Sequence, residues 1–222
     1  MKIVEDIQKN IEDFKIDTLK LDKFLTGTRV AYHFFENKYP EINNEFNKKV
    51  RNKNEMEEMR LFENLYASIS IYDKEIFKYC FINIIARTEA FLNDIARSIY
   101  LWKKPDLTKE IREKAISNYS HFPFRKKLEH LNNEFGLSFP EIEEKKDTIS
   151  EFFSRRNIIL HNNCLVNETY LKINNDSNLK IGDEVVVGED YLKLTFIVVI
   201  IIAKTIEKQI KLIDANAIVA KS

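Results

Sequence analysis

Within one short stretch, Arg155-Arg156-Asn157-Ile158-Ile159-Leu160-His161, the chain places side chains able to hold an anion and to move a proton. Arginine is always charged and offers a planar fork of donors to phosphate or carboxylate oxygens. Histidine, as a residue type, exchanges a proton near neutrality and suits general acid or base work. Asparagine can orient an imidazole or donate to the same anion. On a helix, at about 100° per residue, Asn157 and His161 stack along one edge, while Arg156 and His161 stand about 140° apart. The long guanidinium must reach around the helix for both to meet one ligand.

Arg156 also follows Ile149, Phe152 and Phe153 at helical spacing, so it continues an apolar stripe rather than a solvent face. An unpaired charge there is costly. Spacing alone leaves two readings open. Arg156 is a structural ion pair, with Glu89 or Asp94 on an earlier helix, and His161 is a helix-end residue favoured by the macrodipole; or the segment is an anion site.

Other chemistry finds little support. His33, His121 and His130 have no partners at ligand spacing, so no metal site is expected. There is neither a GxxxxGK[ST] phosphate loop nor a glycine-rich dinucleotide fingerprint. Lys48-Lys49-Val50-Arg51, Lys103-Lys104 and Arg125-Lys126-Lys127 read as solvated basic faces. Glu89 is the carboxylate to watch, as a partner for an arginine.

The elements that must position these residues are helical. The 222 residues include only 4 glycines and 4 prolines, too few for the turns of an all-β fold. Lys plus Arg and Asp plus Glu each total 35, so bulk charge cannot bind a duplex, although a local basic patch can form. Cys80 and Cys164 form no disulfide framework, which fits a reducing, cytoplasmic location. The greasiest run, Phe196 to Ala203, is shorter than the roughly 20 apolar residues of a bilayer span, so no membrane partner is expected.

The periodicity predicts a helix over residues 2–25 ended by Gly27, a short helix over 30–35, and a polar loop or exposed helix over 36–58. A central helix starts at an N-cap Asp73, carries Phe77, Phe81, Ile84, Thr88, Phe91 and Ile95 on one stripe, and ends near Trp102. Another runs from Pro123 to a C-terminal Gly136. Pro140 opens a helix that continues through the arginine–histidine stretch. Gly182-Asp183 reads as a tight hairpin with glycine at the first turn position, and a last helix runs from Glu189 to about Ile213. The architecture expected is all-α, a helical bundle with one small β-hairpin before the last helix.

The stretch also resembles the Arg-x(4-6)-His motif of the HEPN superfamily, in its Arg-Asn-x-x-x-His form. Arg156, Asn157 and His161 occupy the three motif positions, and Arg155 satisfies the looser spacing. "ARTEAFLNDIARSIY", "FRKKLEHLNNEFGL" and "LKIGDEVVVGEDYL" are similar to neighbouring segments of such domains, so the resemblance covers roughly residues 70–213. Many relatives carry glycine shortly after the histidine, where this chain has Asn162-Asn163-Cys164. The resemblance implies a HEPN-like helical domain over 61–222, behind an N-terminal helical extension over 1–60. It further implies a homodimer that sets two motif helices side by side and cleaves RNA without a metal or other cofactor. The ribose 2′-hydroxyl is the nucleophile, Arg156, Asn157 and His161 are catalytic, and Arg155 contacts RNA. The implied setting is toxin–antitoxin or anti-phage defence, with an antitoxin or defence-system sensor as a further partner. Two alternatives stand beside it: a non-catalytic HEPN-like module that binds RNA or protein, and a purely structural helical partner.

Overall fold

The computed structural model describes residues 2–49, 53–174 and 178–219. Eight helices follow in chain order: α1 Lys2–Lys49, α2 Lys53–Lys103, α3 Lys109–Ser120, α4 Phe124–Phe135, α5 Pro140–Glu143, α6 Lys146–His161, α7 Glu168–Ile173 and α8 Glu189–Val219. The all-α architecture is what the scarcity of glycine and proline calls for.

The first two helices are far longer than the periodicity suggests. α1 runs through Gly27 and Pro40, and α2 begins some twenty residues before Asp73, which lies inside it. Gly27 has open space around it and only weakens a helix. Pro40 removes one hydrogen bond and crowds the preceding turn. What holds the chain there is the other helix: Tyr39 stacks on Tyr66 at 3.7 Å between ring centroids, and Tyr32 on Tyr72 at 6.2 Å. The polar stretch 36–49 is therefore one wall of an antiparallel two-helix arm, with Met59 buried in it. Val50 and Arg51 of the first basic cluster lie outside the described residues.

The other end of α1 joins the main core. Val4, Ile7, Ile11 and Phe14 pack with Phe81, Ile84, Ile95, Ile149, Phe152, Val199 and Ile202 in one cluster, and the rings of Phe14 and Phe91 stack at 4.2 Å. A boundary near residue 60 falls within α2, and the first turns of the supposed extension belong to the same core as the motif helix. Thr88 stays on the buried stripe because its hydroxyl donates to Ile84 O at 2.7 Å.

Four shorter elements carry the site. α3 was not anticipated; Thr108 caps it by accepting from Ile111 N. α4 begins at Pro123 and ends on Gly136, whose φ of +68° closes the C-terminus as expected. The helix opened by Pro140 does not continue into the motif: α5 stops at Glu143 and α6 starts afresh at Lys146. α7 lies beneath the end of α6 and is capped by Asn167, which accepts from Tyr170 N at 2.9 Å.

The expected hairpin is only partly present. Its turn is Lys180-Ile181-Gly182-Asp183, closed by Asp183 N donating to Lys180 O at 3.0 Å, so Gly182 (φ +88°) takes the second central position rather than the first. The arms do not pair with each other. Among the described residues there is no strand, and one isolated antiparallel bridge joins Leu165 to Glu184. Val166 N donates to Asp183 O and Val185 N to Cys164 O. This ties the segment after the motif helix to the one that leads into α8.

Candidate functional site

α6 projects its two arginines in opposite senses. Ile149, Phe152 and Ile158 are buried, which fixes the helix's rotation. Arg155 turns toward α7 and α8. Its Nε donates to Glu151 at 2.6 Å, one terminal nitrogen to Val186 O at 2.8 Å and the other to the Tyr170 hydroxyl at 3.1 Å. Its guanidinium also lies 4.1 Å from the ring centre of Tyr191. Tyr170 and Tyr191 both donate to Glu151. Burial, reinforced by the Glu151 carboxylate, raises both phenols above their ordinary range and keeps those donor protons in place. The Arg155 side chain is 13% exposed. Its donors are spent inside the protein, and it does not line the cleft described next.

Arg156, Asn157 and His161 line a cleft of about 890 Å³ between α4, α6 and α7, at the side of α2. That volume lies within the roughly 300–1,000 Å³ range of small-ligand sites. Asn157 and His161 are exposed, and among the described residues neither side chain makes a hydrogen bond. Arg156 is 16% exposed and ion-paired with Glu89 of α2, while Asp94 is exposed away from it. The Arg156 Nε is buried without an acceptor.

Besides Glu89, the cleft holds residues to which residue type and spacing assigned no role in a site. Lys127 is 1% exposed, not part of a solvated face. Its ammonium donates to Asn93 Oδ1 at 2.7 Å and to Ser120 O at 3.0 Å, and lies 4.9 Å from the ring centre of Tyr119. Burial draws it below the usual lysine range, opposed by the nearby Glu89 carboxylate. It has no ion pair of its own among the described residues. His121 and Lys172 reach the same space, as does Arg125, which is paired with Asp147 and within 3.4 Å of Ser150 Oγ. Among the described residues, Glu89 is the one carboxylate in the lining. His130, by contrast, packs against the Tyr100 hydroxyl at 2.6 Å and is structural.

Beyond His161 the chain reverses through two residues in the left-handed region, Asn163 (φ +49°) and Cys164 (φ +64°). Cys164 N returns to Ile158 O at 3.3 Å, and the Asn162 side chain donates to Leu165 O. Cys164 is buried with Ile158, Val166, Tyr170 and Val185 in a second small core. Packing thus holds a reversal that glycine would make freely. His161 is left at the very end of α6, beside the cleft mouth.

Chemically, the cleft concentrates cations around one shared carboxylate and sets an unengaged imidazole at its edge. Among the described residues no group of three or more His, Cys, Asp or Glu is arranged to hold a metal ion, and no helix is long and apolar enough to cross a membrane. Comparison with protein-family models, curated proteins and solved structures gives no match.

Proposed function

We propose that the chain is an endoribonuclease of HEPN type, a helical bundle that pairs with a second copy and cleaves RNA without a metal. The observation that carries this reading is the cleft: Arg156, Asn157 and His161 meet there among Lys127, Arg125 and Lys172, with Glu89 as the sole acid among the described residues. RNA brings its own nucleophile. One imidazole takes the proton of the ribose 2′-hydroxyl, the 2′-oxygen attacks phosphorus, and the P–O5′ bond breaks. A second imidazole, as imidazolium, gives its proton to the leaving 5′-oxygen. The products are a 2′,3′-cyclic phosphate and a 5′-hydroxyl. Arg156 stabilises the dianionic phosphorane, and Asn157 orients the ring or donates to the phosphate. Each chain supplies one motif histidine, so the second comes from the paired copy across a two-fold axis. A cytoplasmic toxin or anti-phage role, with an antitoxin or sensor holding it in check, belongs to the same proposal.

A second reading has its own support. The Arg156–Glu89 pair, mostly buried within one chain, is what a non-catalytic RNA-binding or protein-interaction module needs from its arginine. Single-stranded RNA separates the two. Cleavage that persists in excess EDTA, fails on a substrate with a 2′-deoxy group at the scissile position, and leaves the ends named above supports the nuclease. Binding without cleavage by the dimer supports the module. Cleavage abolished by EDTA, or equal on the deoxy substrate, overturns the chemistry.

A further inference from the structure

The Lys127 wall of the cleft does not need to exist for a single arginine and histidine to act. Lys127 is 1% exposed and among the described residues has no carboxylate of its own, an expensive way to bury an ammonium. The structure places only neutral oxygens on it, from Asn93 and Ser120, and leaves Glu89 to serve both Lys127 and Arg156. The same wall contains the start of α4, where Pro123 supplies no side-chain cap and the first turn holds no acidic residue. Pro123, Phe124 and Arg125 of this helix start line the cleft, and a helix N-terminus carries unpaired N–H groups and the positive dipole end. Next to these cations the wall is aromatic. Phe122 and Phe153 are half-buried and line the cleft; the Phe122 ring meets Tyr119 and His130 edge-on, and the exposed Lys126 ammonium lies 4.5 Å from its centre.

We infer that this wall is a nucleotide subsite, in which Lys127 and the start of α4 hold a phosphate flanking the scissile one and Phe122 takes the adjoining base. The inference rests on the ribonuclease reading and names its substrate more closely: a single-stranded segment, because only an unpaired base can leave its stack and lie on an aromatic ring. The bound phosphate supplies the counter-charge that Lys127 lacks, and Glu89 is then left to Arg156. The cleft's volume accommodates a nucleotide within one protomer, so this recognition does not require the second copy.

The test uses the full chain carrying His161→Ala, which cannot cleave in the proposed mechanism, and a single-stranded decaribonucleotide as probe. Lys127→Met is expected to weaken binding about tenfold and to flatten the slope of log K against log salt by about 0.7, the value for one lost phosphate contact on a single strand. Phe122→Ala, at a half-buried position on the edge of the core and with its fold checked by melting alongside Lys127→Met, is expected to weaken binding about tenfold or more through lost stacking, with the salt slope unchanged. Circular dichroism and melting identify a misfolded Lys127→Met protein, in which case Phe122→Ala and Arg125→Ala decide. Adenosine 5′-monophosphate should compete with the oligomer better than inorganic phosphate does. Folded variants that bind as the parent does, or equal competition by the two small probes, overturn the subsite even if the wild type cleaves RNA. If the wild type cleaves nothing but these dependences appear, the subsite stands and the nuclease chemistry falls.

Discussion

The guanidinium of Arg156 on α6 is held by the carboxylate of Glu89 on α2, while its Nε remains buried without an acceptor. The pair both orients Arg156 and competes for it, because Glu89 occupies donors that a phosphate would use. Among the described residues the cleft's other charged groups are cations, so this carboxylate opposes a polyanion. Glu89→Gln should therefore tighten binding of single-stranded RNA by about three- to tenfold in the His161→Ala background, consistent with roughly 1 kcal/mol for removing one partly screened repulsion. It should also lower kcat in an otherwise wild-type chain, since Arg156 loses its anchor. A filter-binding titration gives the first quantity; weaker binding in Glu89→Gln would show that positioning dominates.

The two adjacent arginines should separate cleanly by stability. Arg155→Ala strands the Glu151 carboxylate, 11% exposed, with only the two tyrosine hydroxyls to solvate it. Breaking one side of such a buried pair costs about 3–5 kcal/mol, which in a chain of this length lowers Tm by roughly 6–20 °C. Arg156→Ala leaves Glu89, which is 33% exposed, free to hydrate, and should cost about 1 kcal/mol or less. Scanning calorimetry of both variants checks the order. A larger loss for Arg156→Ala would mean that its pair is the structural one.

Much of the bundle was legible because its signals are local and strong. Gly136 at the end of α4 and the stripe from Phe81 to Ile95 follow directly from residue type and spacing. The long arm was not legible, since Gly27 and Pro40 are breakers in isolation and contacts with α2, such as the stacking of Tyr39 on Tyr66 and of Tyr32 on Tyr72, keep α1 continuous. α3 does carry a local signal: Thr108 and Glu110 after Pro105 are an N-terminal signature. For the site, the sequence supplied Arg156, Asn157, His161 and the alternative partner Glu89. It could not supply Lys127, because burial of one lysine in a Lys-rich run depends on how α4 is rotated against α2 and α3. Nor could it separate Arg155 from Arg156, which needed the direction of each side chain.

The tie between α1 and α8 should set part of the acid sensitivity. Lys15 donates to Glu207 at 2.6 Å, and this bond, with a second from Lys211, holds Glu207 below its ordinary value of 4.5. A carboxylate with a depressed folded-state pKa contributes stability that is present above its unfolded value and is lost as pH falls through the folded one. Tm should therefore drop as pH is lowered from about 5 to about 3, and Glu207→Gln should remove part of that drop, with a cost near neutrality of about 1 kcal/mol at most. Melting curves of the two proteins that stay parallel across this window would show that the pair is neutral.

The proposed pairing makes a prediction that no single chain can satisfy alone. If the site is composite, each one draws on both motif helices, so an Arg156→Ala homodimer lacks both arginines and a His161→Ala homodimer lacks both histidines. Each should be inactive, with a loss on the order of 100-fold or more. Mixing wild-type chains with the His161→Ala protein under conditions that exchange subunits creates heterodimers in which only one motif imidazole remains at the shared site. Because each proton transfer needs its own imidazole, these heterodimers should be as silent as the His161→Ala homodimer, and activity should follow the wild-type homodimer fraction measured by native mass spectrometry. Both variants keep the Glu151–Arg155–Tyr170–Tyr191 network, so neither should fail merely by unfolding. Heterodimers that form and keep about half of the wild-type activity, or wild-type chains that cleave RNA as monomers by light scattering, would place the whole reaction in one protomer and end the case for a shared site.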